Sequence, residues 1–411
     1  MKTQNQRNLN CKFFKSNDKI IHQNIMKIAL ACTMILVFCA VIFANVLPIG
    51  KNIAFADEVA VSGKACYLVD TVTGTEMYQK DADKRLPIAS MVKIMTSLMA
   101  FEAVEKGDLS FDEMVSVSEE SASMGGSQVF LDAGKKYKAS ELLKSIVVAS
   151  ANDSCVAIAE RLSGSVDGFV KDMNKRAKEL GMTNTHFANC TGLPAPENYS
   201  SAKDVSIMFR QLIKHPVYFQ FAGIWLEDFV HPDGRTTSMT NTNKLVKFYD
   251  GCDGGKTGFT SEAKFCLSAT AERNGLRVVA VVIGADSSKE RFSAVSNLFG
   301  YAFSNYSSKI IQPKGQDIEN SIRVVGGKEK TISVAMQEDV KALVKRGDDG
   351  EYELHYKLPD KVKAPVKVGD EVGKAYLTRN GEVIKEYSVI CNKEVKKGNF
   401  FDLLKGLGEK W

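Results

Sequence analysis

The stretch "CDGGKTGFTSEAKFCLSATAERNG" (Cys252–Gly275), continued by "LRVVAVVIGA" (Leu276–Ala285), decides the fold. "FCLSATAER" carries the alternating pattern of a strand. Asn274-Gly275 is the strongest two-residue hairpin signal. The near-continuous apolar run after it marks a central strand buried on both faces. Ahead of the hairpin, Lys256 and Thr257 stand between Gly255 and Gly258, so a cation and a hydroxyl sit on thinly covered backbone. Taken alone these four residues also suit an exposed turn, where Gly, Lys and Thr are common.

Working outward, "ACYLVD" (Ala65–Asp70) reads as a strand, Thr73-Gly74 as a turn, and the residues after it as a second strand. A helix is expected from about Ser90 to Lys106, closed by Gly107. A helical pattern from Ser140 to Ser163 breaks at "SANDS" (150–154), where Asn152 and Asp153 are natural N-caps. Further helices are expected over 205–214 and 289–303. Helices placed between an N-terminal hairpin and a C-terminal strand set predict an α/β domain, with helices packed on an antiparallel sheet. After Ser307 the pattern changes to short alternating strands, "IRVVGG", "KTISVAM", "YELHYKL" and "KAYLTRNGEVIKEYSVIC", with Asn380-Gly381 as another hairpin turn. The expected divisions are a leader at 1–56, an α/β domain at 57–306, a small all-β domain at 307–392 and a tail at 393–411. In that tail Phe400, Phe401, Leu403, Leu404, Leu407 and Trp411 share a helical face. It suits an amphipathic foot on the membrane surface, with core packing as the alternative.

At 411 residues, 44% hydrophobic and 25% charged, the chain has ample material for a core. A formal charge of +5 suits an anionic surface such as a membrane or cell wall. No basic cluster is interleaved with aromatics, so no nucleic-acid partner is expected. Basic residues precede the apolar run "IALACTMILVFCAVIFANVL" (Ile28–Leu47), and Ala54-Phe55-Ala56 fits a signal-peptidase site with Asp57 as the first mature residue. The run is long enough to span a bilayer uncut, and either outcome exports the rest of the chain. Six cysteines follow the leader without C-x-x-C spacing and read as small buried hydrophobes, not as a disulfide framework or metal site.

The chemistry points to "LPIASMVKIMTSLMAFEAVEKG". Ser90 is expected at the helix N-cap, with Lys93 three residues on and on the same face. Met91, Val92, Ile94, Met95, Leu98 and Met99 make this helix apolar nearly all round, so Lys93 is buried with it. Burial disfavours the ammonium form, and a neutral amine beside a hydroxyl is a base beside a nucleophile. A lysine snorkelling from a core helix is the plainer alternative. Two other Ser-x-x-Lys matches, "SNDK" and "SSAK" (Ser200–Lys203), lack the apolar setting. Ser150-Ala151-Asn152, at a break between helices, is either a capping turn or a pair of side chains offered to a cleft.

Together, in chain order, Ser-x-x-Lys, Ser-x-Asn and Lys-Thr-Gly form a recognised set. Through "PIASMVKIMT", "SANDS", "TNTHFANCTGL", "YSSAKD", "DGGKTGFT" and the β-module, the chain resembles the serine D-Ala-D-Ala carboxypeptidases, the low-molecular-mass penicillin-binding proteins of peptidase family S11. The resemblance runs from about Ala65 to Cys391. It implies the β-lactamase/transpeptidase-like fold, no cofactor or metal, and peptidoglycan stem peptides and β-lactams as partners. It implies Ser90 as nucleophile, Lys93 as its base, and Ser150 and Asn152 as proton relay and amide holder. Lys256 would support that network, Thr257 and Arg291 would receive the substrate carboxylate, and Gly258 would lie in the binding strand. The N–H groups of Ser90 and Phe259 would form the oxyanion hole. Lys264 stands where the family usually has glycine, and Asn198 precedes Tyr199 where histidine is common. The alternatives are a β-lactamase, which would need a deacylating glutamate that Glu197 does not plainly supply, and a non-catalytic wall-binding protein.

Overall fold

The structure is a computed structural model and describes residues 59–399 apart from 60 and 349. The leader, its cleavage site and the amphipathic tail from Phe400 onward lie outside the described residues. From Val59 on, the described chain forms one compact unit.

A five-stranded antiparallel sheet is its centre: β1 (Ala65–Asp70), β2 (Glu76–Lys80), β3 (Cys252–Thr260), β4 (Lys264–Arg273) and β5 (Leu276–Ala285), in the order β2-β1-β5-β4-β3. β5 is the middle strand, and its apolar run is explained by two cores. Val279, Val281 and Ile283 face a helical layer, while Val278, Ala280 and Val282 face the helix Ser288–Asn305. Because strand side chains alternate faces, a strand covered on both sides has no polar phase. Asn274 and Gly275 have φ of 50° and 76°, the left-handed pair that a tight hairpin between β4 and β5 requires.

Four helices of the other layer matter for the site: α1 (Lys93–Lys106), α2 (Ala139–Val148), α3 (Asn152–Ser163) and α4 (Ala202–Leu212). α1 is buried along most of its length and ends at Gly107, whose φ of 81° closes it. It begins later than expected. Residues Ala89–Val92 form a 3₁₀ turn, and Ser90 sits inside that turn without capping anything. Likewise α3 takes Ala151 as its N-cap, and neither Asn152 nor Asp153 caps it through a side chain. Asn152 and Asp153 are drawn to tertiary partners, whereas the Ser90 hydroxyl meets Lys93 three residues on.

Lys256, Thr257 and Gly258 lie within strand β3, not ahead of it. Three glycines in nine residues hide the strand from periodicity, and contacts explain each glycine. A Cβ on Gly254 would come within 2.9 Å of the Tyr218 ring, and one on Gly255 within 2.6 Å of Asn243 Nδ2. The strand is bare there to receive its own protein. Tyr218, 2% exposed, accepts the Gly255 N–H at 3.0 Å, and Asn243 donates to the Gly254 carbonyl at 3.2 Å. At the β3–β4 turn Lys264 adopts φ 58°, a conformation that glycine takes without steric cost.

Strands between Tyr306 and Cys391 form the C-terminal β-structure, a six-stranded sheet with a two-stranded partner. Asn380 and Gly381 again have positive φ, at 51° and 83°. All six described cysteines are free and buried.

Replacing Tyr218 by Phe leaves the Gly255 N–H without its buried acceptor. The expected cost is about 1–3 kcal/mol of unfolding free energy, read from the denaturation midpoint at unchanged m-value.

Candidate active site

Ser90 stands on a turn gripped from two sides. Ala89, just before it, is held at φ 48°, a strained value for a residue with a Cβ. On one side Gly258 of β3 approaches so closely that a Cβ there would lie 2.5 Å from the Ile88 carbonyl oxygen and 3.3 Å from Ser90 N. On the other, a Cβ on Gly192 would lie 2.0 Å from the Ala89 carbonyl oxygen and 2.8 Å from Ser90 N. Both positions are glycine because only bare backbone fits against the nucleophile's turn.

Lys93, fully buried, holds the centre. Its Nζ is 2.6 Å from Asn152 Oδ1, 2.6 Å from the Thr191 carbonyl and 3.2 Å from Ser90 Oγ. Burial lowers its pKa below the ordinary lysine value, against weaker opposing contributions from Cys155, Cys190 and Asp153. A neutral amine has two N–H donors and one lone pair. The two short contacts go to oxygens that can only accept, so in the neutral form of the amine the lone pair is left for the Ser90 hydroxyl. Chemically, such an arrangement can serve as a base beside a nucleophile.

The Thr191 carbonyl, absent from the residue types that sequence reasoning considers, completes this arrangement. It is presented by a turn in which Asn189 Oδ1 accepts the N–H groups of Thr191 and Gly192 at 3.2 and 2.7 Å. Thr96 of α1 donates to the Cys190 carbonyl at 2.7 Å, tying the same turn to the helix. The Asn-x-Thr-Gly run in "ANCTGL" is the available signal, since Asn and Gly mark a local turn.

Asn152 is fixed by its second half: Nδ2 donates to the Gly125 carbonyl at 2.6 Å, and its backbone N–H donates to Ser127 O at 2.7 Å. Asp153, unexposed, accepts the N–H groups of Val129 and Leu131 at 3.0 and 3.1 Å, locking the loop over the start of α3. Ser150 occupies the break between α2 and α3 at φ 66°, and its buried Oγ has no hydrogen-bond partner among the described residues.

Across the cleft, β3 is the edge strand of the sheet, paired only with β4. Lys256 and Thr257 are 5% and 7% exposed, and Phe259 is 55% exposed with its ring stacked on Phe265 at 4.5 Å. Lys256 donates to the Thr257 carbonyl at 3.1 Å; burial first, then the charges of Lys93 and Arg291, press its pKa well below the usual value. Arg291 is almost buried behind the strand, where it donates to the Gly258 carbonyl at 3.1 Å and lies against Phe265 and Phe292. A concavity of about 440 Å³ lined by Pro87, Pro194, Glu197, Tyr199 and Glu262 adjoins the Ser90 turn.

A nucleophilic serine paired with a buried lysine, a Ser-x-Asn turn and an edge strand bearing Lys-Thr-Gly define the class of serine enzymes that recognise penicillin. The family model for D-alanyl-D-alanine carboxypeptidases matches residues 52–287, and that for the penicillin-binding protein 5 C-terminal domain matches 306–397. D-alanyl-D-alanine carboxypeptidase DacF of Bacillus subtilis is 40% identical over 92% of this chain and 96% of its own length. Among solved structures, penicillin-binding protein 5 from Haemophilus influenzae aligns with a TM-score of 0.64 at 28% identity, over 82% of this chain and 98% of its own. Penicillin-binding protein D2 from Listeria monocytogenes, in its ampicillin-bound form, aligns at 0.54 and 31% identity over 60% of this chain and 99% of its own. The chain belongs to the D-alanyl-D-alanine carboxypeptidase family, peptidase family S11.

Gly192→Ala must displace the Ala89–Ser90 peptide, because the added methyl falls on the Ala89 carbonyl. Since displacements near 1 Å cost on the order of a hundredfold, penicillin acylation should slow by about that factor. Labelling kinetics alongside a near-ultraviolet circular dichroism spectrum separate a misplaced nucleophile from a lost fold.

Proposed function

We propose that this protein removes the terminal residue of peptidoglycan stem peptides ending in D-Ala-D-Ala, through an acyl-serine intermediate, and that β-lactams acylate the same serine. The observation that carries this reading is the Lys93 amine, buried and committed by two short contacts, with its third direction left to Ser90 Oγ. Ser90 Oγ attacks the carbonyl of the penultimate D-Ala while its proton passes to Lys93. The negative oxygen that forms would be received by the backbone N–H groups of Ser90 and Phe259, a reading supported by the close approach of Gly258, the residue before Phe259, to the Ser90 turn. Ser150, whose hydroxyl is not engaged elsewhere, is suited to relay the proton from Lys93 to the departing D-Ala amine, which returns Lys93 to the neutral form. Water then attacks the acyl-enzyme as Lys93 takes its proton, and that proton passes to Ser90 Oγ as the shortened peptide leaves.

An extended substrate lying along the free edge of β3 meets Thr257 at its carboxylate end, with the Lys256 and Arg291 N–H donors beside it. Arg291 acts in this reading mainly through the strand it braces. The β-lactamase alternative is disfavoured by Glu197, which is exposed on the rim concavity. A non-catalytic wall binder is disfavoured because the buried Lys93 has no carboxylate partner among the described residues and its amine meets the Ser90 hydroxyl.

We place the enzyme outside the cytoplasm, consistent with cell-wall action in this family, with export through residues 1–56 and a membrane-associated foot in the tail. No described helix is long and apolar enough to cross a membrane. The proposed divisions remain 57–306 for catalysis and 307–392 for the β-domain.

Intact mass after incubation with penicillin should show one adduct, mapped to Ser90 and abolished by Ser90→Ala; an adduct on Ser200 of "SSAK" would overturn the assignment. The acylation rate should also depend on pH with a defined sign. Lys93 accepts a proton only as the neutral amine, so the rate should be flat above its lowered pKa and fall tenfold per pH unit below it. Lys93→Arg, cationic at every accessible pH, should be inactive throughout. A rate insensitive to pH on the acid side would assign the base elsewhere.

A further inference from the structure

The C-terminal sheet ends in an edge with a local excess of positive charge. In that sheet the strand Lys361–Lys363 is outermost and runs parallel to residues 323–325, with Arg323 opposite Lys361 and Val325 opposite Lys363. These four residues are exposed, while Val324 between them is buried. Alternation thus directs a basic row outward and an apolar row inward. The last described segment then folds against the same end. Val395 pairs with Val366, Lys397 with Gly327, and the Lys328 N–H donates to the Lys396 carbonyl at 3.0 Å. Lys328, Lys396 and Lys397 are exposed there. Across residues 323–330, 360–370 and 393–397 there are nine Lys or Arg and four Asp or Glu. Residues 57–411 hold 47 Lys or Arg and 48 Asp or Glu, so this local excess of five positive charges stands against a net negative remainder. None of Arg323, Lys328, Lys361, Lys363, Lys396 and Lys397 has an ion-pair partner among the described residues. Two exposed valines, Val325 at 46% and Val368 at 62%, lie among these cations.

We propose that this edge is an electrostatic docking surface for anionic phospholipid headgroups. Two features select a lipid surface as the occupant. The cations and exposed valines together match an interface that is charged outside and apolar just beneath. The chain also leaves this edge at residues 396–399 and passes directly into a sequence whose apolar residues share one helical face. The edge is thus continuous with the only stretch after the leader patterned to enter a bilayer surface. Headgroup attraction at the edge and apolar insertion by the tail act together, as two weak anchors must for stable attachment. The inference rests on the reading of an exported enzyme working beside the membrane, but its test is independent of catalysis.

The test is sedimentation of the chain from residue 57 onward with vesicles of phosphatidylcholine, alone or mixed with phosphatidylglycerol. It compares the parent with a variant combining Lys361→Gln, Lys363→Gln, Lys396→Gln and Lys397→Gln. A lysine near an anionic surface contributes about fivefold in partitioning, so the variant should lose on the order of a hundredfold toward the anionic vesicles only. The parent's preference should fade when salt rises from about 0.1 to about 1 M, because the screening length shrinks from about 10 to about 3 Å. Penicillin labelling of Ser90 should stay at the parent rate, confirming that the variant is folded. Equal binding of parent and variant, or no preference of the parent for phosphatidylglycerol, overturns the proposal. So does salt-sensitive binding to soluble poly(glycerol phosphate) without vesicle binding, which would assign the edge to a wall polymer.

Discussion

Everything at this site depends on keeping one lysine amine out of water. An ammonium in such a place is strongly disfavoured, so Lys93 gives up basicity in exchange for position. The two carbonyl-type oxygens it meets come from far apart in the chain, Asn152 at the start of α3 and Thr191 in a turn about forty residues later. The Lys93 amine keeps these partners only if the helical layer, the α2–α3 break and the 189–193 turn all close on one point. That requirement explains the density of local fastenings around it: Thr96 to Cys190, Asn189 to its own turn, and Asp153 to the 129–131 loop.

A second constraint is closeness of backbones. Gly192 and Gly258 press the Ser90 turn between them, and Gly254 and Gly255 accept Tyr218 and Asn243 on β3. The Ser90 turn and the free edge of β3 are thereby parts of one packed stack. Strained φ values at Ala89 and Ser150 mark where that stack forces the chain. Such strain persists only where surrounding packing over-determines the conformation, and here the buried helices on one side and the sheet on the other supply it.

The charge distribution separates the two halves of the described chain. Near the cleft, basic side chains are buried and few: Lys93, Lys256 and Arg291, each with its pKa lowered by burial. At the outer edge of the C-terminal sheet, Arg323, Lys328, Lys361, Lys363, Lys396 and Lys397 are exposed and have no ion-pair partner among the described residues. The buried side chains act at contact distance in a low dielectric, whereas the exposed ones act collectively on a charged surface within a screening length.

Much of this was legible in the sequence, for physical reasons that can be named. The apolar run of β5, the Asn274-Gly275 hairpin and the apolar surround of Lys93 are local patterns, and local patterns survive without knowledge of partners. The order of Ser90, Lys93, Ser150, Asn152, Lys256 and Thr257 is likewise linear information. Periodicity failed where side chains answer to distant groups. It placed Ser90 at a helix N-cap and Asn152 and Asp153 as caps, because isolated Ser, Asn and Asp bond nearby backbone; in the folded protein Lys93, Gly125 and Val129 claim them instead. It read Lys-Thr-Gly as preceding a strand, because glycines carry no alternation. The sequence by itself determined which groups are available and which segments are buried. Only the tertiary structure decided that the Thr191 carbonyl meets the Lys93 amine and that four glycines serve contacts within the protein, since each depends on groups brought together from separate elements of the chain.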